Sequence, residues 1–485
     1  MSTSRPAELR AMMPLALIYP GSKASGLAAL LVLLMVLHGL LYTALIPPWQ
    51  GPDEPKHFEY LRLLYEKRHL VSLADTDPLL QEAIVNSMSD HDFWRLGFWD
   101  PSAQPSRQGP FYEIWWDSPT LLHRPPLYYL ALLPAEAAVA GQPIEVQLYV
   151  ARLVSLLMGV LTVLLAYRTA QAIFPGRPRL ATAVGGFVAL QPVFAFISGT
   201  MNSDNLVNLL CAFLFYLLAV TFWQGLSWGR ILGIALAVGL ALVTKRTTFF
   251  VVPLIALAWP AYALSREGRE RRRWLLVSAV GIVAALIAGV VVWQVPAWQQ
   301  QMAQGFVVLL DRYLFNGPGQ AVAILARFQS PEIVPLLWSY LVFLFESFWA
   351  RFGWMTVRLD DAWYVALLVV TALSVLGLAV AAVRRRMVVA GWQKGIFLVY
   401  ALGITLAVGS SLAFQTIYTA YWSPPQGRYF FSVLTPIALF YVLGLRALVP
   451  GRLRPLAVPV SLVALALFDV LCLLGYVVPY FYGNP

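Results

Sequence analysis

The strongest constraint on this chain is a series of apolar runs, each long enough to cross a bilayer, that recurs from end to end. The first, residues 27–46 (LAALLVLLMVLHGLLYTALI), holds no Asp, Glu, Lys or Arg. A helix of roughly 20 such residues spans the hydrocarbon core. Further runs lie at 147–173, 181–199, 203–224, 230–247, 248–264, 274–296, 362–383, 394–414, 428–448 and 455–478. Backbone polar groups in lipid must be satisfied within the segment, so runs of this length predict helices. The expectation is an all-α polytopic membrane protein with about eleven transmembrane helices. Composition agrees: 59% of residues are hydrophobic and 12% are charged, against about 25% charged in a soluble domain. That excludes a disordered chain, a coiled coil and a nucleic-acid-binding module. The net charge of +10 then marks cytoplasmic loops rather than a nucleic-acid partner.

Arg5, Arg10 and Lys23 precede the first run. The run has neither the short core nor the A-x-A-like end of a cleaved signal peptide, so it reads as an uncleaved helix with a cytoplasmic N-terminus. Alternating from there puts Arg177 and Arg179, Arg230, the run Arg266 to Arg273, Arg384 to Arg386 with Lys394, and Arg446 with Arg452 and Arg454 all on the cytoplasmic side. The C-terminus falls outside. Two shorter apolar runs, 126–140 and 335–350, would break that parity if they crossed, and they are expected to lie at the outer surface or to re-enter it. The expected organisation is a cytoplasmic tail (1–24), a transmembrane core (25–296) carrying a large outer loop (47–146) with surface helices, a second outer loop (297–361) with its own surface helix, and C-terminal transmembrane helices (362–485).

The loop 47–146 differs in kind from the rest. It holds 14 of the 24 acidic residues, 7 of the 34 basic ones, and four of the five histidines: His57, His69, His91 and His123. Long connections of this sort usually carry function. The two cysteines, Cys211 and Cys472, lie within apolar runs and offer neither a disulfide framework nor a zinc signature.

Ionisable residues near membrane depth are costly and point to function. They are Arg152, Asp204, Lys245, Arg246, Arg428 and Asp469. The topology places Arg152, Asp204 and Arg428 at outer ends of spans and Lys245 and Arg246 at an outer turn. Cations are scarce on that face, so they call for an anionic partner: lipid phosphate, or the acids of the first loop. Snorkelling to headgroups is the competing explanation for any one of them. Asp469, inside the last span, is expected to be structural.

The sharpest local signal is Pro47-Pro48-Trp49-Gln50-Gly51-Pro52-Asp53-Glu54-Pro55-Lys56-His57. The prolines stiffen the chain as it leaves the first span. Asp53 is positioned to cap a helix that starts at Glu54, with Pro55 tolerated in its first turn. Both carboxylates would reach His57, three and four residues on. A carboxylate pair beside an imidazole suits general-base chemistry on a hydroxyl or amine. It also suits a divalent cation, although the set is not a specific metal signature. A plain N-cap and surface helix would use the same residues. The segment His123-Arg124-Pro125-Pro126-Leu127-Tyr128-Tyr129 reads, taken alone, as a proline-fixed helix start with an aromatic belt.

In this order and spacing the residues resemble the GT-C superfamily of polytopic glycosyltransferases. The likeness is to the bacterial branch related to protein O-mannosyltransferases and lipid A aminoarabinose transferases. It covers most of the chain and is densest over 47–260. The motifs are Asp53-Glu54, the H-P-P-L-Y-Y-like His123 to Tyr129 with Arg124 inserted, Ala151-Arg152-Leu153-Val154-Ser155, Asn202-Ser203-Asp204, Thr244-Lys245-Arg246-Thr247 and Gly427-Arg428-Tyr429. The run Glu346-Ser347-Phe348-Trp349-Ala350-Arg351-Phe352-Gly353-Trp354 looks like a subgroup within that branch.

The resemblance implies transfer of a sugar from a polyprenyl-phosphate donor to a glycan, lipid or protein acceptor at the outer face of the cell inner membrane. Asp53 would be the base, with inversion at the sugar carbon. Lys245, Arg246 and Arg428 would meet the phosphate, and Asp204 would orient acceptor or sugar. Glu54 and His57 would tune Asp53 or hold a cation, while His123, Tyr128, Arg152 and Tyr429 would line the substrate site. No cofactor is required by this scheme. A third class is a nonenzymatic envelope-assembly membrane protein, against which the acidic entry motif argues only weakly. The other competing class, a lipid or polysaccharide transporter or flippase, predicts ionisable groups near the midplane and broken helices there. Here they gather at one face.

Overall fold

The computed structural model describes residues 22–96, 121–279, 333–384, 390–417 and 425–483, with the single positions 283 and 331. The expected span 274–296 beyond residue 279, the tail before residue 22, and most of the second outer loop lie outside the described residues. Among the described residues, nine helices are long and apolar enough to cross a membrane. The chain is an all-α polytopic membrane protein. Among the described residues one two-stranded antiparallel hairpin, β1 (Arg351–Phe352) and β2 (Val357–Arg358), is the exception.

Helix α1 (Ser22–Leu45) shows how the spans sort their faces. Leu30, Leu33 and Leu37 each expose more than half their surface, while Leu31, Met35, His38 and Tyr42 are buried. The buried set recurs at helical spacing and packs inward; the exposed leucines face where lipid would be. Helix α6 (Ile144–Ile173) runs 30 residues, about 45 Å at 1.5 Å per residue, and so reaches past both faces of the hydrocarbon core.

Asp469 is structural, though not alone. It accepts from Tyr42 Oη at 2.9 Å and lies 2.8 Å from His38 Nε2, while His38 Nδ1 meets the Ala189 carbonyl at 2.7 Å. A buried carboxylate at membrane depth needs such partners.

The expected span 181–199 is broken. Helices α7 (Pro178–Ala189) and α8 (Pro192–Ser198) meet at 63°. Pro192 removes a helix donor at the break, and the Gln191 side chain caps the Phe194 amide while also donating to the Phe348 carbonyl. The bend carries residues 199–203 under the first loop. Helix α9 (Asp204–Gln224) then returns. Helix α10 (Trp228–Leu242) is only 15 residues long, and a 3₁₀ turn (Arg246–Phe250) leads into α11 (Val251–Leu264).

The two short apolar runs part company. Residues 126–140 give α5 (Leu127–Val139), a 13-residue helix, as a surface element would. Residues 335–350 instead give α12 (Ile333–Ala350), 18 residues and apolar enough to count among the candidate spans. Length and composition alone do not separate a crossing helix from one that lies at the surface or re-enters it. After the hairpin come α13 (Asp361–Val383), α14 (Gly391–Ile417), a 3₁₀ turn (Gly427–Val433), α15 (Leu434–Leu448) and α16 (Arg454–Cys472). A π-turn (Leu473–Val477) and the short α17 (Val478–Tyr482) close the described chain.

The described part of the first loop packs as a cap. Helices α2 (Glu54–Lys67), α3 (Pro78–Asp90), α4 (Phe93–Leu96) and α5 share a second core of Trp49, Phe58, Ile84, Met88, Phe93 and Tyr129, separate from the core of the bundle.

Candidate functional site

The site lies where the cap meets the ends of α9, the Lys245 turn and the Arg428 turn. It begins at Asp53, whose φ of 62° is left-handed, a costly conformation for a non-glycine residue. Asp53 occupies the N-cap position of α2, but its side chain makes no cap hydrogen bond. The carboxylate is turned instead to Arg428, whose Nη2 donates to Oδ2 at 2.9 Å. The expected cap is therefore a cap in position only.

From Asp53 a chain of alternating charge runs inward. Arg428 Nε lies 3.6 Å from Asp204 Oδ2, and Asp204 Oδ1 is ion-paired to Lys245 Nζ. Asp204 opens α9, where the helix dipole favours a carboxylate, and its amide is held by Asn202 Oδ1 at 2.9 Å. Lys245 sits 5.1 Å over the Tyr429 ring and Arg428 lies 5.6 Å from the same ring. That geometry is a shared cation–π contact. Arg428 is buried, and its Nη1 makes no hydrogen bond among the described residues. Asp53 is the accessible member, with its side chain 36% exposed.

Glu54 and Arg152 have another place. Arg152 Nε and Nη2 donate to the two oxygens of Glu54, each at 2.7 Å. The same guanidinium reaches the carbonyls of Thr43, Ile46 and Pro47, and Glu54 also accepts from the amides of Met201 and Gly51. Both side chains are fully buried. The sequence reading put Glu54 with the catalytic groups and Arg152 with the substrate. The geometry is that of a clamp that pins the end of α1 to α6 and the start of α2, with the bidentate hydrogen bonds of each partner already made.

His57 does not bridge the two carboxylates. Its Nδ1 lies 2.8 Å from Tyr129 Oη, and Tyr129 stacks on Tyr60 at 3.8 Å between centroids. Burial pushes its pKa down to about 3 against the nearby Asp53 charge, so it is a neutral ring at ordinary pH. Partial burial raises Asp53, yet the Arg428 and Lys56 charges outweigh that and hold it well below the usual carboxylate range. Asp53, Glu54 and His57 are thus each turned to a different partner and do not form the cation site their spacing allowed. Among the described residues no group of three or more His, Cys, Asp or Glu could hold a metal ion.

Tyr128 shares a 2.7 Å hydrogen bond with Ser155 and is buried in the cap. Arg246 is half-buried at the start of the turn that follows Lys245. His123 closes a 3₁₀ turn, and its side chain lies outside the described residues.

Sequence reasoning passed over Lys56, Glu59 and Tyr129. Lys56 is buried beside Asp53, and burial lowers its pKa to about 8, with Asp53 and Glu59 pulling the other way. Glu59 accepts from Gln81 at 2.6 Å and is raised by burial. The spacing of Asp53, Lys56 and Glu59 was legible, but their burial under the cap was not. Also missed was the role of the Glu346–Trp354 run. Trp354 Nε1 donates to the Trp49 carbonyl at 3.0 Å, and Ser347 Oγ accepts from the Gly427 amide at 2.8 Å. A Cβ on Gly427 would lie 2.1 Å from the Phe348 amide nitrogen, so only glycine permits this approach. One segment thereby braces the chain on both sides of the Asp53–Arg428 pair.

Residues 125–293 match the family model for dolichyl-phosphate-mannose-protein mannosyltransferases. The match covers roughly a third of the chain and indicates glycosyltransferase activity of the GT-C type. It contains Tyr128, Arg152, Asp204, Lys245 and Arg246, starts after Asp53 and ends before Arg428. No curated protein matches the chain.

Proposed function

We propose that this protein transfers a sugar from a polyprenyl-phosphate donor to a hydroxyl or amine acceptor, with Asp53 as the base and Arg428 and Lys245 at the donor phosphate. One observation carries the reading: buried Arg428 spends Nη2 on Asp53 and keeps Nη1 without a hydrogen-bond partner among the described residues. A buried guanidinium with an unused donor favours an anion. The donor phosphate takes up that arm and draws Arg428 away from Asp53. The Asp53 carboxylate, until then held at low basicity by Arg428, becomes a better base. It accepts the acceptor proton while the acceptor atom bonds to the anomeric carbon. The sugar–phosphate bond breaks with its electron pair going to oxygen, which leaves as polyprenyl phosphate, and the carbon inverts. Asp204, bound to Lys245, orients the acceptor or the sugar. Glycan, lipid and protein acceptors all supply the required group.

The positive-inside pattern supports a site on the outer face of the inner membrane. A cysteine at Gly268 in intact cells should label only after permeabilisation; labelling from outside reverses the orientation. The activity test is release of polyprenyl phosphate from a radiolabelled lipid-linked sugar by the purified protein. Movement of intact donor across a vesicle membrane without cleavage would favour a flippase instead.

A further inference from the structure

A second charged site lies at the other end of the bundle. Arg152 and Arg177 are separated by α6, and Arg428 and Arg446 by the Gly427 turn and α15. At 1.5 Å per residue those separations come to about 38 and about 27 Å, comparable to the thickness of the hydrocarbon core. At that opposite face a cleft of about 440 Å³ opens between the start of α7, the end of α15 and the start of α16. Arg177, Arg179, Arg446 and Arg454 line it, with Leu180 and Val458 among its apolar wall.

Two features set this cleft apart from ordinary cytoplasmic arginines. First, among the described residues no carboxylate pairs with any of the four; Arg177 lies 5.8 Å from the Phe174 ring and Arg454 Nε donates to the Val449 carbonyl at 3.4 Å. Second, three of them sit at helix N-termini. Arg177 is the N-cap of α7, Arg179 lies in its first turn, and Arg454 opens α16; neither helix has an acidic residue in its first turn. The positive end of a helix dipole disfavours cations. The positive-inside bias explains which face they occupy, but not why they converge on one cleft at two positive helix ends.

We infer that this cleft binds the headgroup phosphate of an anionic phospholipid in the leaflet opposite the candidate active site. The arginine forks and the helix N-terminal amides would hold the phosphate oxygens, and the apolar wall of Pro455 and Val458 would meet the start of the acyl chains. Basic pockets between spans on this side commonly take such headgroups.

The test uses the purified full-length protein and phosphatidylglycerol, with phosphatidylcholine as the neutral comparison, read by native mass spectrometry. Arg177→Gln, Arg179→Gln, Arg446→Gln and Arg454→Gln together should cut retained phosphatidylglycerol at least tenfold. The matched control, Arg269→Gln, Arg271→Gln, Arg272→Gln and Arg273→Gln, removes the same charge from a nearby basic run and should change it less than twofold. If the combined variant does not fold, Arg179→Gln and Arg454→Gln singly, both exposed side chains, should each lower retention about fivefold. Equal loss in cleft and control variants would reduce the arginines to diffuse surface charge and overturn the site. So would unchanged retention in the cleft variants. Thermal protection by inorganic phosphate alone, equal to that by phosphatidylglycerol and lost in the cleft variant, would replace the lipid with a soluble phosphate.

Discussion

Asp53 and Glu54 are adjacent in the chain, and each faces an arginine from a distant segment, yet the two pairs differ in every physical respect. The Glu54–Arg152 pair is fully buried, bidentate, and surrounded by backbone carbonyls and amides. Its hydrogen-bonding capacity is consumed within the protein. The Asp53–Arg428 pair has one hydrogen bond, an accessible carboxylate, and an arginine arm without a partner among the described residues. A saturated ion pair holds parts together and has nothing left to offer a substrate. An unsaturated one with an accessible carboxylate can exchange partners. The left-handed Asp53 backbone is what separates them: it turns one carboxylate toward Arg428 while its neighbour enters the clamp.

The largest effect expected from this contrast is at Asp53. Asp53→Asn keeps the shape and removes the base, which typically costs 10²–10⁴-fold in rate. Turnover of a radiolabelled donor should collapse while donor binding and thermal stability stay near those of the parent. Near-normal turnover would move the base to Asp204 and erase the distinction drawn here.

Next comes the clamp. Glu54→Gln or Arg152→Ala leaves a buried charge unpaired, a loss of about 3–5 kcal/mol when one partner of such a pair is removed. Detergent-solubilised protein should melt well below the parent, with turnover per folded molecule little changed. A catalytic loss at full stability would instead return Glu54 to the chemistry.

Donor binding should fall roughly tenfold or more in Arg428→Ala and Lys245→Ala, since a charged hydrogen bond contributes about 1.5–3 kcal/mol. Arg428→Lys should recover part of it, because lysine offers a point charge without the fork. Equal affinity in both alanine variants places the phosphate elsewhere.

The smallest effect concerns His57. Burial lowers its pKa from 6.5 to about 3, so the unfolded chain binds more protons than the native one between those values. Stability is therefore lost as pH falls below about 6.5. His57→Gln should reduce that loss by on the order of 1–2 kcal/mol at pH 5, measured as a smaller drop in melting temperature between pH 7 and pH 5. An unchanged slope means that the imidazole is charged in the folded protein.

Much of this protein was legible without coordinates. Apolar runs of this length predict helices in lipid because a helix satisfies its own backbone there, and α1, α6, α9 and α13 fall close to where the runs predicted them. Charge near membrane depth is costly enough to be conspicuous and singled out Asp204, Lys245 and Arg428, and the Pro-rich entry to the first loop singled out Asp53; the structure brings these four side chains together. Other points were decided only by tertiary structure. The bend at Gln191–Pro192 depends on a carbonyl from α12, 157 positions away in sequence. The fate of neighbouring carboxylates depends on which arginine arrives: Arg152 is 98 positions from Glu54, and Arg428 is 375 from Asp53. Lys56 and Glu59 look like a solvated helix face until the cap closes over them. Local sequence sets hydrophobicity and helix ends, but the partner of a buried charge comes from whichever distant element packs against it, and that partner decides whether the charge braces the fold or stays available for chemistry.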